Sequence, residues 1–427
     1  MDPTSRNPAP NPTDLNQSET TDSKNKSSST EPQVQVNPIG TYQKIVDSFQ
    51  STIEKVRNLV TTLNSQDLEK THPFYEDRYQ ALISSGFDPV IAEATTTIEM
   101  SQDTKILQAE RDKISPIPTS GGTSGSYFIR DRKGQKIGVF KPSDEEVFMP
   151  NNPRGKSCQY DPKLPRRFGP RSGHIQGTSW KKEINAHRIG RPLDVPFTSQ
   201  MKVPFPKTPG SIELVEKTGS FQQFVRGTPV EEMTFRQIKD IPIKEVQKVA
   251  ILDLILGNSD RNTGNLLYNS ESQKLYPIDH GLTMLDSLVS ENYSETNCEW
   301  INFPQASQPI EPEVRKFIIE LNDKIIVEEM TRDNMLSQTE ALELKVRIIF
   351  VKECINRGLD LSKIAQLCSR ENDNSSGTLL EIACKRAEMD VSLEGDMPIT
   401  NETRYIELFK KNLISELDNM DTQSNVL

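Results

Sequence analysis

The residues best suited to chemistry lie in two nearby segments of the sequence, GNSDRNTGNLL and YPIDHGLTM. The first contains Asp260 and Asn265 in a D-x-x-x-x-N pattern, and the second contains Asp279 in a D-H-G pattern. Phosphoryl transfer requires a carboxylate that orients the attacking hydroxyl, together with oxygen ligands that hold a magnesium ion against the phosphates. The segments therefore predict a phosphotransferase that uses ATP with Mg2+ or Mn2+. Asp260 is the predicted catalytic carboxylate, and Asn265 and Asp279 are the predicted metal ligands.

The spacing and order of these two segments are typical of kinases. D-x-x-x-x-N is the spacing of a kinase catalytic loop, and D-H-G stands where a kinase places its D-F-G aspartate. A strand, a turn and a second strand are predicted between Asn265 and Asp279. Either pattern alone is weak evidence, but the two in this order favour a kinase-type site.

The sequence also contains a cation and a glycine-rich turn upstream, in the order that such a site requires. Lys141 ends the strand-like run KIGVFK and is predicted to contact the phosphates. The turn before the hairpin contains Gly121, Gly122 and Gly125, which would let backbone amides approach the phosphates. Glu183, on the next predicted helix, is the predicted partner of Lys141. Each residue taken singly has an ordinary structural explanation, so the prediction depends on their order.

The elements that must position these residues follow from the apolar pattern. The runs SYFIR and KIGVFK, separated by DRKG, predict a β-hairpin, and VQKVAILDLIL predicts a buried helix. Further elements are expected as helices at 180–189, 340–354, 379–389 and 405–417, and as strands around 212–216 and 221–225. This order predicts an α+β, two-lobed kinase-like fold with a small β-rich N-lobe, a helical C-lobe and a cleft between them.

Composition divides the chain into four predicted segments. The first is mostly polar and cannot bury enough apolar area to fold, so a disordered tail is predicted there. The second has apolar residues on one helical face and predicts an N-terminal helical extension. In order, the segments are the tail at 1–38, the helical region at 39–113, the kinase-like domain at 114–395, with lobes at about 114–226 and 227–395, and a C-terminal helix and tail at 396–427.

Charge and cysteine content limit the partners and the compartment. The formal charge is −10 and the pI is near 5.2, so no sequence-wide attraction to nucleic acid or to an anionic membrane is expected, and any anion site must be local. The five cysteines form no C-x-x-C pair, which favours a reducing, cytoplasmic compartment. The sequence has no transmembrane run and no signal peptide, although peripheral membrane contact is compatible with it. The acidic tail SELDNMDTQSNVL resembles in composition the tails of bacterial effectors delivered into host cytosol, but a plain disordered terminus is the simpler interpretation.

Longer segments resemble the phosphatidylinositol 3- and 4-kinase superfamily. They are YFIRDRKGQKIGVFKPSDEEVFMPNNPRG, GSFQQFV, LDLILGNSDRNTGNLLY, PIDHGLTM and CEWINFPQASQPI, within roughly residues 118–390. They are most similar to the plant-type gamma class of type II phosphatidylinositol 4-kinases. The resemblance implies a kinase fold in which Glu183 pairs with Lys141. It also implies that Gln223, Phe224 and Val225 form the adenine-binding hinge.

The resemblance leaves the acceptor open, because gamma-class members are also associated with protein phosphorylation. A lipid kinase needs cations that bind an inositol phosphate headgroup and the membrane. The segment GLTMLDSLVSENYSETNCEW after Asp279 contains four acidic residues and no Lys or Arg. We therefore favour a protein Ser/Thr acceptor, with phosphatidylinositol as the alternative. A pseudokinase that acts as a binding scaffold is a third interpretation, although all the predicted site residues are present.

An insertion rich in proline and arginine, at 156–180, does not align with the family. Between 154 and 182 Asp161 is the only carboxylate, and the cations are Arg154, Lys156, Lys163, Arg166, Arg167, Arg171, Lys181 and Lys182. Guanidinium groups bind phosphates bidentately, so this cluster predicts a site for a polyanion such as an inositol polyphosphate, a phosphoinositide headgroup or a phosphoprotein. A solvated basic loop is the alternative. A second departure from the family is Asn262, where a histidine often follows the Asp-Arg pair.

Overall fold

The structure is a computed structural model that describes residues 115–169, 172–206, 211, 213–287, 298–369 and 377–424. The tail predicted at 1–38 and the helical extension predicted at 39–113 lie outside these residues. Arg171, one of the predicted polyanion ligands, also lies outside them.

The N-terminal part of the described chain contains a five-stranded antiparallel sheet. Its strands are β1 (Ile117–Pro118), β2 (Tyr127–Arg130), β3 (Lys136–Pro142), β6 (Thr198–Pro206) and β7 (Leu214–Gln223). The strand order is β1-β2-β3-β7-β6, and the predicted hairpin corresponds to β2 and β3. One face packs a small apolar core that includes Phe140 and Phe221. Because successive side chains of a strand point to opposite faces, Lys141 projects from the face opposite Phe140.

Two strands of this sheet differ from the sequence prediction. β7 is one continuous strand where the sequence predicts two runs. Gly219 lies opposite Pro142, and a Cβ at position 219 would lie 2.1 Å from the Lys141 carbonyl oxygen, so this glycine permits close strand approach and does not form a turn. β6 is absent from the prediction. Its prolines, Pro204 and Pro206, are tolerated because β6 is at the edge of the sheet.

The insertion and the first described α-helix separate β3 from β6. The insertion contains a short antiparallel hairpin of β4 (Arg167–Phe168) and β5 (His174–Ile175). Helix α1 (Ser179–Gly190) follows, in agreement with the helix predicted at 180–189. Glu183 is buried on this helix together with apolar residues, so its carboxylate faces the protein interior.

The rest of the described chain is mainly helical. The helices are α2 (Phe235–Lys239), α3 (Ile243–Leu256), α4 (Pro312–Glu320), α5 (Asp323–Arg332), α6 (Gln338–Asn356), α7 (Leu361–Cys368), α8 (Leu379–Leu393) and α9 (Glu402–Ser424). A three-stranded antiparallel sheet is formed by β8 (Thr228–Pro229), β9 (Leu266–Asn269) and β10 (Lys274–Pro277). Helix α3 is buried from Glu245 onward, as its apolar run predicts. Helix α9 continues to Ser424 through much of the segment that the sequence assigns to a disordered terminus.

The described residues form two separate apolar cores, one under the five-stranded sheet and a larger one among the helices. A small antiparallel sheet followed by a helical part is the predicted α+β architecture, which is therefore confirmed. Among the described helices, none combines the length and apolar character needed to cross a bilayer.

Candidate active site

Three of the predicted site residues meet in one ion cluster. The Lys141 Nζ lies 2.5 Å from Glu183 Oε1 and 2.9 Å from Asp279 Oδ1. Glu183 Oε2 also accepts a hydrogen bond of 2.9 Å from the backbone N–H of His280. Lys141 comes from β3, Glu183 from α1 and Asp279 from the loop after β10. The cluster therefore joins the sheet, the helix and the D-H-G loop.

Burial and mutual charge set the pKa values of this cluster. Burial raises the pKa of Glu183, and the positive charge of Lys141 opposes that shift. The Asp279 side chain is 51% exposed, and Lys141 lowers its pKa to about 2. Burial disfavours the charged form of Lys141, but the two carboxylates outweigh this effect and raise its pKa. At neutral pH Lys141 is therefore protonated and Asp279 ionised, which are the states needed to bind phosphate and a cation.

The glycine of D-H-G lies where helix α1 approaches the loop. A Cβ at position 281 would lie 3.2 Å from the Ser179 Cβ and 3.8 Å from Glu183 Oε1. Asp279 has a φ of 57°, in the left-handed region that few non-glycine residues adopt. The loop conformation and the absence of a side chain at Gly281 together allow α1 to bring Glu183 to Lys141.

The ion pair between Lys141 and Glu183 leads to a testable prediction. If the pair acts as one unit that positions the phosphates, Lys141→Met and Glu183→Gln should each lower kcat/KM by about 10-fold or more. The double variant should then be no worse than the poorer single variant. Steady-state kinetics of the four proteins would measure the coupling. Losses that multiply in the double variant would show that the two residues act independently.

Asp260 and Asn265 lie on a loop that is stabilised by its own hydrogen bonds. The Asp260 backbone N–H donates to Asn258 Oδ1 over 2.9 Å, and Asn265 Nδ2 donates to the Asp260 carbonyl over 3.2 Å. The side chain of Asn262 accepts a hydrogen bond of 3.2 Å from the Asn265 N–H. Asn262, which departs from the family pattern, therefore helps to hold this loop. Burial and the nearby charge of Asp279 raise the pKa of Asp260.

Arg261 is a positioning residue that the sequence prediction does not include. Its side chain is fully buried, and its Nε lies 3.0 Å from Asp253 Oδ2 on α3. Its Nη1 donates to the carbonyl groups of Asn265 and Ile278, and its Nη2 donates to His280 Nδ1 over 3.1 Å. Burial lowers the pKa of His280, which keeps this imidazole neutral and able to accept that bond. One guanidinium group thus connects the catalytic-loop segment to the D-H-G segment.

The N-terminus of α1 is bound by a carboxylate from the chain itself. Glu146 is buried, and its oxygens accept hydrogen bonds from the N–H groups of Ser179 at 3.0 Å and Trp180 at 2.7 Å. The unpaired N–H groups and the dipole at a helix N-terminus favour an anion in this position. Burial raises the pKa of Glu146 to about 7. Glu146 therefore fixes the start of the helix that carries Glu183.

Glu146 is expected to make stability depend on pH. Its folded-state pKa lies above its usual value of 4.5, so its contribution to stability is present at low pH and is lost as the pH rises through about 7. The unfolding free energy of the wild type, relative to that of Glu146→Gln, should therefore fall by about 2 kcal/mol between about pH 5 and pH 8. Urea unfolding of both proteins across this range measures the difference. Parallel pH profiles would show that Glu146 does not titrate as described.

A cavity of about 450 Å³ adjoins the ion cluster. It is lined by Lys141, Glu183, Asp260 and Asp279, so the structure brings four predicted site residues together around one space. Its other lining residues include Gly122, Ser124, Ser126, Glu146, Phe148, Lys156, Phe168 and Trp180. Of the three predicted glycines, Gly122 contributes to the cavity wall.

The other two glycines and the predicted hinge do not line this cavity in the part of the chain that the structure describes. The Gly125 N–H donates to the Glu145 carbonyl over 2.9 Å, whereas Gly121 accepts a hydrogen bond from Arg154. At the end of β7, the N–H groups of Gln223 and Phe224 donate to backbone carbonyls at 2.7 and 3.0 Å. The assignment of Gln223, Phe224 and Val225 to an adenine hinge stays a prediction.

Two cations of the predicted polyanion cluster face the helical part of the protein. Lys182 is buried, and its Nζ lies 3.0 Å from Glu340 Oε1 on α6. The Lys181 Nζ donates to the Asn334 carbonyl over 2.8 Å. Both lysines are adjacent to the insertion in sequence, but α1 carries their side chains to partners far along the chain. Lys182 is therefore removed from the predicted polyanion site, because it is buried in an ion pair, whereas the role of Lys181 stays a prediction.

Two arginines of the same cluster also have partners. The Arg154 Nη2 donates to the carbonyl groups of Thr119, at 2.5 Å, and Gly121, at 3.1 Å. Arg167 forms an ion pair of 3.0 Å with Asp286. Arg154 thus stabilises the glycine-rich turn, and Arg167 fixes the insertion to the segment after D-H-G.

The insertion also contacts the catalytic loop through its hairpin. His174 Nε2 lies 3.2 Å from the Oγ of Ser259, the residue before Asp260. Burial lowers the pKa of His174 to about 2, so this contact involves a neutral imidazole. The Gly173 carbonyl accepts a hydrogen bond of 2.7 Å from the Asp286 N–H. The insertion is therefore packed beside the candidate site.

Asn265 and Asp279 offer oxygen ligands that suit Mg2+. Asn265 uses its Nδ2 in the bond to the Asp260 carbonyl, which leaves its Oδ1 available to a cation. Among the described residues, no group of three or more His, Cys, Asp or Glu could form a protein cage for a metal ion. Mg2+ is usually held by one or two carboxylates and by substrate phosphates, so this sparse set of ligands fits that ion.

A lysine on a small sheet, a helical carboxylate and two loop aspartates around one cavity define a kinase-like class of protein. The family model of phosphatidylinositol 3- and 4-kinases matches residues 122–350, which is more than half of the chain. The chain therefore belongs to the phosphatidylinositol 3- and 4-kinase family.

Several plant proteins are similar to this chain. Phosphatidylinositol 4-kinase gamma 7 of Arabidopsis thaliana is 29% identical over 67% of this chain and 46% of its own length. Phosphatidylinositol 4-kinase gamma 4 of Oryza sativa subsp. japonica is 31% identical over 71% of this chain and 53% of its own length. The chain thus spans about half the length of these curated relatives. A solved structure of a Helicobacter pylori proinflammatory kinase matches 58% of this chain and 92% of its own, with 11% identity and a TM-score of 0.32.

Proposed function

We propose that this chain is an ATP-dependent phosphatidylinositol kinase, with the inositol headgroup of a membrane lipid as its acceptor. The observation that supports this most strongly is the cluster of Lys141, Glu183 and Asp279 on the wall of a cavity that also contains Asp260. This arrangement provides a cation for phosphates, a metal ligand and a carboxylate for the acceptor. The names of the plant relatives favour position 4 of the inositol ring.

In this mechanism the residues of the chain position both substrates. Lys141 binds phosphate oxygens of ATP and is held in place by Glu183. Asp260 accepts the proton of an inositol hydroxyl as its oxygen bonds to the γ-phosphorus, while the bond to the β–γ bridging oxygen breaks and ADP leaves. A magnesium ion held by Asn265 and Asp279 would neutralise charge on the phosphates. The raised pKa of Asp260 makes it a better proton acceptor than an ordinary aspartate.

A protein Ser/Thr acceptor, which the sequence analysis favours, is the second candidate. The Glu299 carboxylate accepts a hydrogen bond of 2.7 Å from the Thr263 N–H, which places an acidic group beside the loop of Asp260. An acidic surface near the acceptor would attract a basic protein segment. The similarity to proteins named as phosphatidylinositol 4-kinases favours the lipid more strongly, because it extends over about two thirds of this chain.

An acceptor comparison separates these two candidates. Wild-type protein would be incubated with labelled ATP and magnesium, in parallel with detergent-dispersed phosphatidylinositol and with a panel of basic protein substrates. The proposal expects label in the lipid, at a rate well above that into any protein. Label in protein alone would replace the lipid kinase by the protein kinase.

A further inference from the structure

The insertion presents an exposed leucine on an ordered turn. The Leu164 N–H donates to the Asp161 carbonyl over 3.1 Å, and the Lys163 N–H donates to the Asp161 carboxylate over 2.9 Å. Prolines stand on both sides, at Pro162 and Pro165. Leu164 is 80% exposed, although it belongs to a turn that fixes its position. A single exposed leucine is common on protein surfaces, so the chemistry of its surroundings decides whether it marks a contact.

The charges around Leu164 identify the kind of partner. Lys163 and Arg166 are exposed on either side of it, with the Arg166 guanidinium stacked 4.2 Å from the centre of the Phe148 ring. Lys156 is exposed elsewhere in the insertion. Asp161 is the only carboxylate between 154 and 182, but it is already engaged by the turn. The whole chain has a formal charge of −10, so this is a local reversal of sign. A leucine that penetrates among lipids, flanked by cations that meet phosphate headgroups, suits an anionic bilayer.

A second exposed apolar region of the described chain has the opposite charge. At the end of α8 and in the following turn, Leu393 is 85% exposed and Met397 is 63% exposed. The neighbouring charges there are Asp390, Glu394 and Asp396, of which Glu394 is paired with Arg404. The apolar exposure of this region is similar to that of Leu164, but anionic headgroups would repel its acidic residues. Charge therefore separates the two regions and makes Leu393 a matched control for Leu164.

The exposed turn lies on the same insertion as the wall of the candidate active site. Lys156, which precedes the turn, and Phe168, which follows it, both line the cavity that contains Asp260. The ion pair of Arg167 with Asp286 and the contact of His174 with Ser259 hold the insertion against the catalytic segments. A bilayer bound at the turn would therefore be adjacent to the cavity that must receive a lipid headgroup.

We propose that the turn around Leu164, with Lys163 and Arg166, docks the protein on anionic bilayers. Leu164 inserts among the lipids and the cations contact the headgroup phosphates. This inference rests on the lipid kinase function proposed above. The docking surface would give such a kinase access to a substrate that is embedded in a membrane. Of the polyanions that the sequence predicts, it favours a membrane surface of anionic lipid over a soluble inositol polyphosphate or a phosphoprotein.

Vesicle co-sedimentation of the full chain tests this docking surface. The vesicles would contain phosphatidylcholine, with or without phosphatidylserine, and no phosphatidylinositol, so that substrate binding at the active site makes no contribution. Wild type should bind the phosphatidylserine vesicles, and the binding should weaken as salt rises. Leu164→Ser should lower the partition coefficient about 10-fold, and Lys163→Gln should lower it about fivefold. Leu393→Ser should bind as wild type does.

The docking surface is rejected if wild type does not bind these vesicles, or if Leu164→Ser and Leu393→Ser bind equally. Turnover of detergent-dispersed phosphatidylinositol separates this outcome from failure of the kinase proposal, because a micellar substrate does not require bilayer docking. Micellar turnover without vesicle binding would remove the docking surface and leave the kinase function. Leu164-dependent binding without lipid phosphorylation would support the docking surface and remove the lipid kinase function.

Discussion

Replacement of Asp279 by asparagine is expected to lower kcat by at least about 100-fold. The substitution keeps the size of the side chain but removes the negative charge that would hold a magnesium ion. The same loss is expected for Asp260→Asn, because the amide cannot accept the proton of the attacking hydroxyl. Both side chains are partly exposed in the cavity, so neither substitution should unfold the protein.

Asp240 provides a matched control for these two variants. It is an exposed aspartate on the surface of the helical part and does not line the cavity. Asp240→Asn should leave kcat unchanged within about twofold. Near-wild-type turnover of Asp279→Asn with normal magnesium dependence would show that Asp279 does not hold the metal ion.

The second large effect is expected on stability, for Arg261→Met. Arg261 and Asp253 form an ion pair of 3.0 Å in which both side chains are completely buried. Removal of the guanidinium would leave the Asp253 carboxylate without its charge partner and should lower the unfolding free energy by about 3–5 kcal/mol. Thermal and denaturant unfolding would measure this loss.

A surface arginine provides the comparison for that result. Arg188 pairs with Asp333 at 3.0 Å, but their side chains are 38% and 45% exposed. Arg188→Met should therefore lower the unfolding free energy by no more than about 1 kcal/mol. Equal losses for the two arginine variants would contradict the assignment of Arg261 as the buried connection between the two loops.

Patterns that are local in the sequence predicted much of the fold. The helix of VQKVAILDLIL is buried on all sides, and its apolar run is the signal for such a helix. The hairpin of β2 and β3 follows from two strand-like runs and a polar turn. The sequence also predicts that Lys141, Glu183, Asp260 and Asp279 belong to one site, and the structure brings all four to one cavity.

The features that the sequence did not reveal depend on contacts between distant segments. Glu146 binds the N–H groups of Ser179 and Trp180 across a long insertion, and no periodicity in the sequence connects them. Arg261 follows Asp260 directly, but its role depends on a buried aspartate that lies on another element. The sequence groups Lys182 with a basic cluster, because it does not show that Glu340 lies beside this lysine in the folded protein. Local patterns therefore predicted the elements and the order of the site residues, whereas the partners of charged groups required the folded structure.

The proposed phosphatidylinositol kinase activity depends on Asp260 and on the cluster of Lys141, Glu183 and Asp279. The most direct test is to identify the product of the purified full chain by mass spectrometry and to map the phosphate on the inositol ring, with Asp260→Asn as the inactive control. A phosphatidylinositol monophosphate, with the new phosphate at position 4, is expected from wild type, and at least about 100-fold less is expected from the variant. Lipid that remains unmodified while wild type consumes ATP, or equal product from wild type and Asp260→Asn, would contradict the proposed lipid kinase activity.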